Sequence, residues 1–126
     1  MNRKLIVIVL SLAFAVVLYA QSAKSIKVTG YLIDNACADS AKDLGAKAKT
    51  HSTSCALMDS CETSGYSVVT DDNKRYELTS TGNDKVAELL KNSKTQKGVK
   101  VVVEGEYDGS KLDVKTLTEA TESVNQ

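Results

Sequence analysis

The chain has no proline, no low-complexity run and no segment that repeats another. Proline-rich spacers, disordered linkers and repeat arrays are thereby excluded as organising devices. An excess of one charge is missing too, since 16 basic side chains face 16 acidic ones. Balanced, interspersed charge gives no electrostatic ground for a nucleic acid or an anionic membrane as partner. The N-terminal apolar run, Leu5 to Leu18, has 14 residues, short of the ~18 expected of a membrane span. Cysteine and histidine are absent everywhere but in one stretch of 25 residues, Cys37 to Cys61. Within it there is no Cys-x-x-Cys, so the thioredoxin-like redox motif is excluded.

What is present begins with that apolar run. Arg3 and Lys4 precede it and Ala20 follows as a small residue suited to cleavage. This is the architecture of a secretory signal peptide over residues 1–20, which places the mature protein in the periplasm or outside the cell. No cysteine stands directly after the run, which argues against a lipid anchor. The remaining 106 residues make one domain with 14 basic and 16 acidic side chains, a balance of −2. No stable membrane insertion is expected after cleavage. A periplasmic protein or a small ligand is the kind of partner that remains. Outside the cytoplasm thiols tend to be oxidised or metal-bound, and three cysteines cannot all pair within one chain.

After a flexible leader (21–25), Ile26 to Ile33 alternates, with Val28, Gly30 and Leu32 on one face. Asp34 to Lys49 reads as a loop with a short helical turn. Ser52 to Ser64 reads as one helix stopped by Gly65. Tyr66–Thr70 and Arg75–Thr79 flank the turn residues Asp71 to Lys74, which predicts a hairpin. Thr81 with Asp84 resembles a capping box, with Asn83 as a competing cap. The helix it opens carries Val86, Leu89 and Leu90 on one face. Val99, Val101 and Val103 alternate, Asp108-Gly109 turns the chain, and Leu112 and Val114 alternate again before a polar tail (119–126). Five short strands with a helix between the third and fourth is the element order of an OB-fold barrel. The expected architecture is therefore mainly β with α: a small five-stranded OB-like barrel over residues 26–118. Its helical insertion (34–65), between strands 1 and 2, bears the cysteines and the histidine.

The run Lys97 to Lys115 resembles the last two strands of such barrels. Gly30-Tyr-Leu-Ile-Asp-Asn-Ala-Cys37 and the His-x3-Cys-x5-Cys-x2-Ser-Gly-Tyr pattern from His51 to Tyr66 resemble an uncharacterised group of exported proteins. More broadly the chain resembles small secreted bacterial OB-fold proteins. The resemblance implies the fold; OB-folds host many unrelated activities, so it implies no particular function.

The cluster supports three chemistries. Cys37, His51, Cys55 and Cys61 complete a Cys3His set of the kind that binds Zn2+. Met58 would be an auxiliary soft donor if the ion is Cu+. If the helix reaches back to His51, His51 and Cys55 are i, i+4 neighbours on one face. Asp34 either caps a turn or accepts a hydrogen bond that orients His51. The alternative is a disulfide of Cys37 with Cys55 or Cys61, in a non-catalytic module that binds through the barrel face. Within a continuous helix Cys55 and Cys61 lie ~9 Å apart along the axis, beyond the ~7 Å a disulfide tolerates. They could pair only if the helix breaks, as at Asp59-Ser60. Third is thiol redox chemistry with His51 beside Cys55, a weak signature. No catalytic residue is assigned, and an enzyme is the least favoured class. Tyr31, Tyr66, Tyr76 and Tyr107 fall on predicted strands and are expected to pack.

Overall fold

Alternating residues from Lys24 to Asp34 form an 11-residue strand, β1, long enough to serve two neighbours. The computed structural model describes residues 23–120; the expected signal segment, residues 21 and 22 of the leader, and residues 121–126 of the tail lie outside the described residues. Four short helices follow β1: α1 (Asn35–Ser40), α2 (Leu44–Thr50), α3 (Thr53–Ala56) and α4 (Asp59–Ser64). Then come β2 (Tyr66–Val69), β3 (Arg75–Leu78), α5 (Ser80–Asn92), β4 (Lys100–Tyr107) and β5 (Lys111–Glu119). The strands close into a barrel in the order β1-β2-β3-β5-β4. All pairings are antiparallel except β3 with β5, which is parallel. This is the expected small five-stranded OB-like barrel, with its helix between strands 3 and 4.

The first part of β1, Lys24 to Tyr31, pairs with β4, and Tyr31 to Asp34 pairs with β2. At the changeover a Cβ on Gly30 would overlap the Val69 carbonyl oxygen, so the close approach of the strands requires glycine. One face of each strand fills the barrel, as period-2 alternation demands. Val28, Leu32, Val68, Leu78, Val101, Val103, Leu112 and Val114 are buried there together with Tyr66 and Tyr76. Helix α5 adds Val86, Ala87 and Leu90 to that core, while Leu89 is half-buried. No helix among the described residues is long and apolar enough to cross a membrane.

Several expectations are corrected. Lys24 and Ser25 belong to β1, because they pair with Tyr107 and Glu106, and β5 runs on to Glu119. The capping box does not form: α5 starts at Ser80 behind Thr79, whose side chain makes no cap bond. Asn83 is used elsewhere, its side-chain oxygen accepting the Tyr66 amide at 2.9 Å. The expected loop at Asp34–Lys49 is two helices, capped by Asp34 on the Cys37 amide and by Asp43 on the Ala46 amide. Aspartate at an N-cap takes up a helix donor that otherwise lacks a partner. The single helix expected over Ser52–Ser64 is two, broken at Leu57 and Met58, where Met58 is extended (φ −63°, ψ 144°).

The insertion is docked, not dangling. A second small core of Ile33, Ala38, Ala48 and Val69, with Leu44 and Tyr31 against it, fixes α1 and α2 to the outside of β1 and β2. Ala56 of α3 joins the main core, and the Tyr66 hydroxyl donates to its carbonyl at 2.7 Å. Beyond α2 the backbone is clasped by the approach to β4. The Gly98 amide donates to the His51 carbonyl (3.0 Å) and the Thr53 amide to the Gln96 carbonyl (2.9 Å). Gly98 has φ +64°, and a Cβ there would overlap the Lys49 carbonyl oxygen. Gly98→Ala is therefore expected to cost about 1–3 kcal/mol, read as a lowered urea midpoint. An unchanged midpoint would show that this clasp does not hold the insertion.

Candidate metal centre

Each donor is placed by a different piece of local structure. Asp34 ends β1 on the same side as Val28, Gly30 and Leu32, and it has no solvent-exposed surface. Its Oδ2 accepts the Cys37 amide at 2.9 Å, which starts α1 and sets the Cys37 side chain beside the carboxylate. His51 is the C-cap of α2 and is buried, its Nε2 2.6 Å from Asp34 Oδ1. Cys55 lies in the first turn of α3, its amide held by the Ser52 hydroxyl at 3.1 Å. Cys61 is buried on α4.

The three thiols converge: the sulfurs of Cys37, Cys55 and Cys61 lie within 4.8 Å of one another. A second group shares Cys37, for Asp34, Cys37 and His51 also offer donor atoms within 4.8 Å of one another. The expected Cys3His set is thus two triads joined at one sulfur. Sulfurs in a tetrahedral zinc shell stand about 3.8 Å apart, given bonds near 2.3 Å, so small side-chain rotations bring the three thiols onto one ion. These five residues are close enough to hold a metal ion.

All three cysteines are free, so the disulfide of Cys37 with Cys55 or Cys61 is not formed. The break at Leu57–Met58 answers the helix-geometry objection, because Cys55 and Cys61 sit on separate helices whose ends converge. It falls just ahead of the expected Asp59-Ser60. His51 and Cys55 are not i, i+4 neighbours of one helix, since extended Ser52 separates α2 from α3. Both readings of Asp34 hold at once: one oxygen caps α1 and the other meets His51. Met58 sits at the joint between α3 and α4 and is 58% exposed, on the solvent side of the chain.

The carboxylate sets the charge state of its surroundings. Burial alone would raise the Asp34 pKa, but the Cys37 amide and the His51 side chain outweigh it and hold the carboxyl below its usual range. The Cys37 thiol is pushed up to about 12, first by burial and then by the Asp34 charge, and Cys61 is raised for the same two reasons. Burial also raises the Tyr66 phenol, which acts here as a donor to the backbone.

Polar residues that no periodicity flags hold the cysteine helices in register. Asn35 Oδ1 accepts from the Ser67 hydroxyl (2.6 Å) and from Arg75 Nη2 (3.1 Å), and its amide donates to the Ser64 carbonyl (2.9 Å). Ser64 in turn donates to the Cys61 carbonyl at 2.6 Å and accepts the Ala36 amide at 3.1 Å. Arg75 completes the set with Ser67 (3.0 Å) and Asp39 (2.7 Å). The start of the Cys37 helix is thereby tied to the end of the Cys61 helix. Asn35→Ala is expected to cost about 1–3 kcal/mol, since it leaves the buried Ser67 hydroxyl proton without its acceptor and loosens Arg75. Equilibrium unfolding checks this, and a variant as stable as the parent would refute it.

The tyrosines pack as expected. Tyr66 is fully buried, and Tyr76 meets Tyr107 edge-on with centroids 5.0 Å apart. Comparison of the chain with protein families, curated proteins and solved structures gives no match.

Proposed function

We propose that this protein is an exported single-domain OB-like barrel that binds one soft metal ion, zinc or copper, through the thiolates of Cys37, Cys55 and Cys61. The observation that carries the reading is the convergence of three free sulfurs, borne by three separate helices, to within 4.8 Å of one another. Thiolates select zinc and Cu+ among the common biological ions. The two hydrogen-bonded junctions, Asn35–Ser64 and Gly98–His51, support the reading because they hold the donors on a braced scaffold. Export rests on the charge and apolar pattern of residues 1–20, and the resemblance to secreted OB-fold proteins agrees with it.

The test is metal analysis of protein purified from the exported fraction without chelator or affinity resin, with mass spectrometry before and after alkylation. The expected result is one zinc or copper per chain, three reduced cysteines and a mature N-terminus near residue 21. Reduced protein carrying no metal, or a disulfide in the exported form, would reject the reading.

A pH dependence follows. Metal binds thiolate, so the ion must displace the protons that burial and Asp34 hold on Cys37 and Cys61. Both thiols are protonated through the neutral range, so affinity falls as pH falls. The protons displaced from these two thiols alone give a slope of at least about two decades in zinc affinity per pH unit between roughly pH 6 and 8. A flat profile in a competition titration would argue against ligation by these thiols.

A further inference from the structure

Only sulfur converges where Cys37, Cys55 and Cys61 meet. Their three sulfurs lie within 4.8 Å of one another, and neither Asp34 nor His51 belongs to that group. Those two donors meet Cys37 in a separate triad, and His51 Nε2 stands 2.6 Å from Asp34 Oδ1. One ion is therefore offered three like donors, with no fourth His, Cys, Asp or Glu donor among the described residues. Zinc completes a tetrahedron, so here it must find its last donor in water or in a rearrangement. An ion satisfied by three sulfurs needs neither.

Charge narrows the choice further. Three thiolates carry one negative charge more than a divalent ion can cancel, and two more than Cu+ can. That excess would sit beside Asp34, whose carboxylate is wholly buried and within 4.8 Å of the Cys37 sulfur. Among the described residues, His51 is the only basic side chain that pairs with Asp34. Arg75 is committed to Asn35, Ser67 and Asp39. Unbalanced charge in a buried place is costly. A trivalent ion cancels three thiolates and adds nothing to the Asp34 charge. Trivalent arsenic and antimony are thiophilic ions that make three bonds to sulfur, a lone pair taking the remaining direction of the pyramid. Each sulfur is carried by its own helix, α1, α3 or α4, so the three can turn inward independently. Cys37 and Cys55 are only half-buried, which gives a small neutral molecule access to them.

We propose that the three thiols also capture trivalent arsenic, supplied as arsenite, in a neutral tris-thiolate. This rests on the same three reduced sulfurs as the metal-binding reading and goes beyond it in the ion. Arsenite enters as its neutral trihydroxide. Three As–O bonds break and three As–S bonds form, and each hydroxide leaves as water with one thiol proton. Arsenic stays trivalent and no electrons are exchanged, so no oxidant or reductant takes part.

The experiment adds sodium arsenite to the reduced mature protein. Mass spectrometry reads the adduct and arsenic X-ray absorption reads its shell. The expected adduct has one arsenic atom in place of three hydrogens, with three As–S bonds and no As–O bond. Zinc-loaded protein should release its ion as arsenic enters. Cys37→Ser, Cys55→Ser and Cys61→Ser are each expected to lose this adduct. With two sulfurs left, arsenic keeps one hydroxyl, a gain of one arsenic and one oxygen less one hydrogen. Arsenite should also raise the urea midpoint, because a site built by the fold binds the folded chain more tightly than the unfolded one. A parent shell of two sulfurs and an oxygen, an unchanged midpoint, or arsenic bound beside retained zinc would overturn the proposal. So would the absence of any adduct in protein that binds zinc or Cu+. Failure to bind arsenite, zinc and Cu+ alike would instead overturn the metal-binding reading itself.

Discussion

Cys61→Ser is expected to lower zinc affinity by about 10^2- to 10^3-fold while leaving the metal-free barrel folded. Structural zinc sites are worth roughly 10–16 kcal/mol in apparent binding free energy, so one donor of a four-donor shell accounts for about 2.5–4 kcal/mol, or about that fold-change. Cys61 is the sharpest choice because it is the buried thiol of the three, and serine fills nearly the same space. Fold and site separate cleanly. The main core runs from Val28 to Val114 and contains no cysteine, while the smaller core has only Cys37 packed at its margin. The measurement is paired unfolding with and without zinc. Parent protein should gain about 2.7 kcal/mol at a zinc concentration 100-fold above its Kd, and the variant should gain almost nothing there. Equal zinc stabilisation of both proteins would remove Cys61 from the site.

The barrel was readable from the sequence because period-2 alternation survives wherever one strand face is buried. Val28, Gly30 and Leu32, then Val101 and Val103, then Leu112 and Val114 alternate for that reason. The position of the helix between the third and fourth strands did the rest. The path of the insertion was not readable. Ala56, Leu57 and Met58 all favour helix, yet the chain breaks there. The break is tertiary in origin: Ala56 and Leu57 pack on the barrel core, and the Tyr66 hydroxyl takes the Ala56 carbonyl. Asn83 misleads in the same way, since its side chain serves Tyr66 and not its own helix. The cluster itself was visible as a count of soft donors, and Asp34 as a neighbour of them. Its division into two triads was not, because that follows from where α2 ends and α3 begins. Asn35, Ser67 and Arg75 carry no periodic signal at all, and only the spatial meeting of residues 32 and 40 positions apart reveals them.

Asp34→Ala is expected to destabilise the metal-free protein by about 1.5–5 kcal/mol, because it removes a buried carboxylate on which two groups depend. Two losses combine in that figure. The Cys37 amide at the start of α1 loses its cap, typically about 0.5–2 kcal/mol. His51 Nε2, buried and 2.6 Å from its acceptor, is left with no partner, about 1–3 kcal/mol. Asp34→Asn separates shape from charge, since its oxygen can still accept from the Cys37 amide or from His51, and it should cost less. The acid dependence distinguishes the two contributions. The Asp34 carboxyl is depressed in the folded state. Its charged form therefore stabilises the fold fully above the unfolded carboxyl value near 3.9. That contribution is lost as pH falls through the lower, folded value. Wild-type stability should fall more steeply than that of Asp34→Asn on going from about pH 5 into this acid range. Urea unfolding at neutral pH and along that acid limb supplies both numbers. A loss below about 1 kcal/mol in Asp34→Ala, the level of an exposed ion pair, would mean that the Asp34–His51 contact does not stabilise the insertion. Parallel acid limbs would mean that its charge contributes nothing.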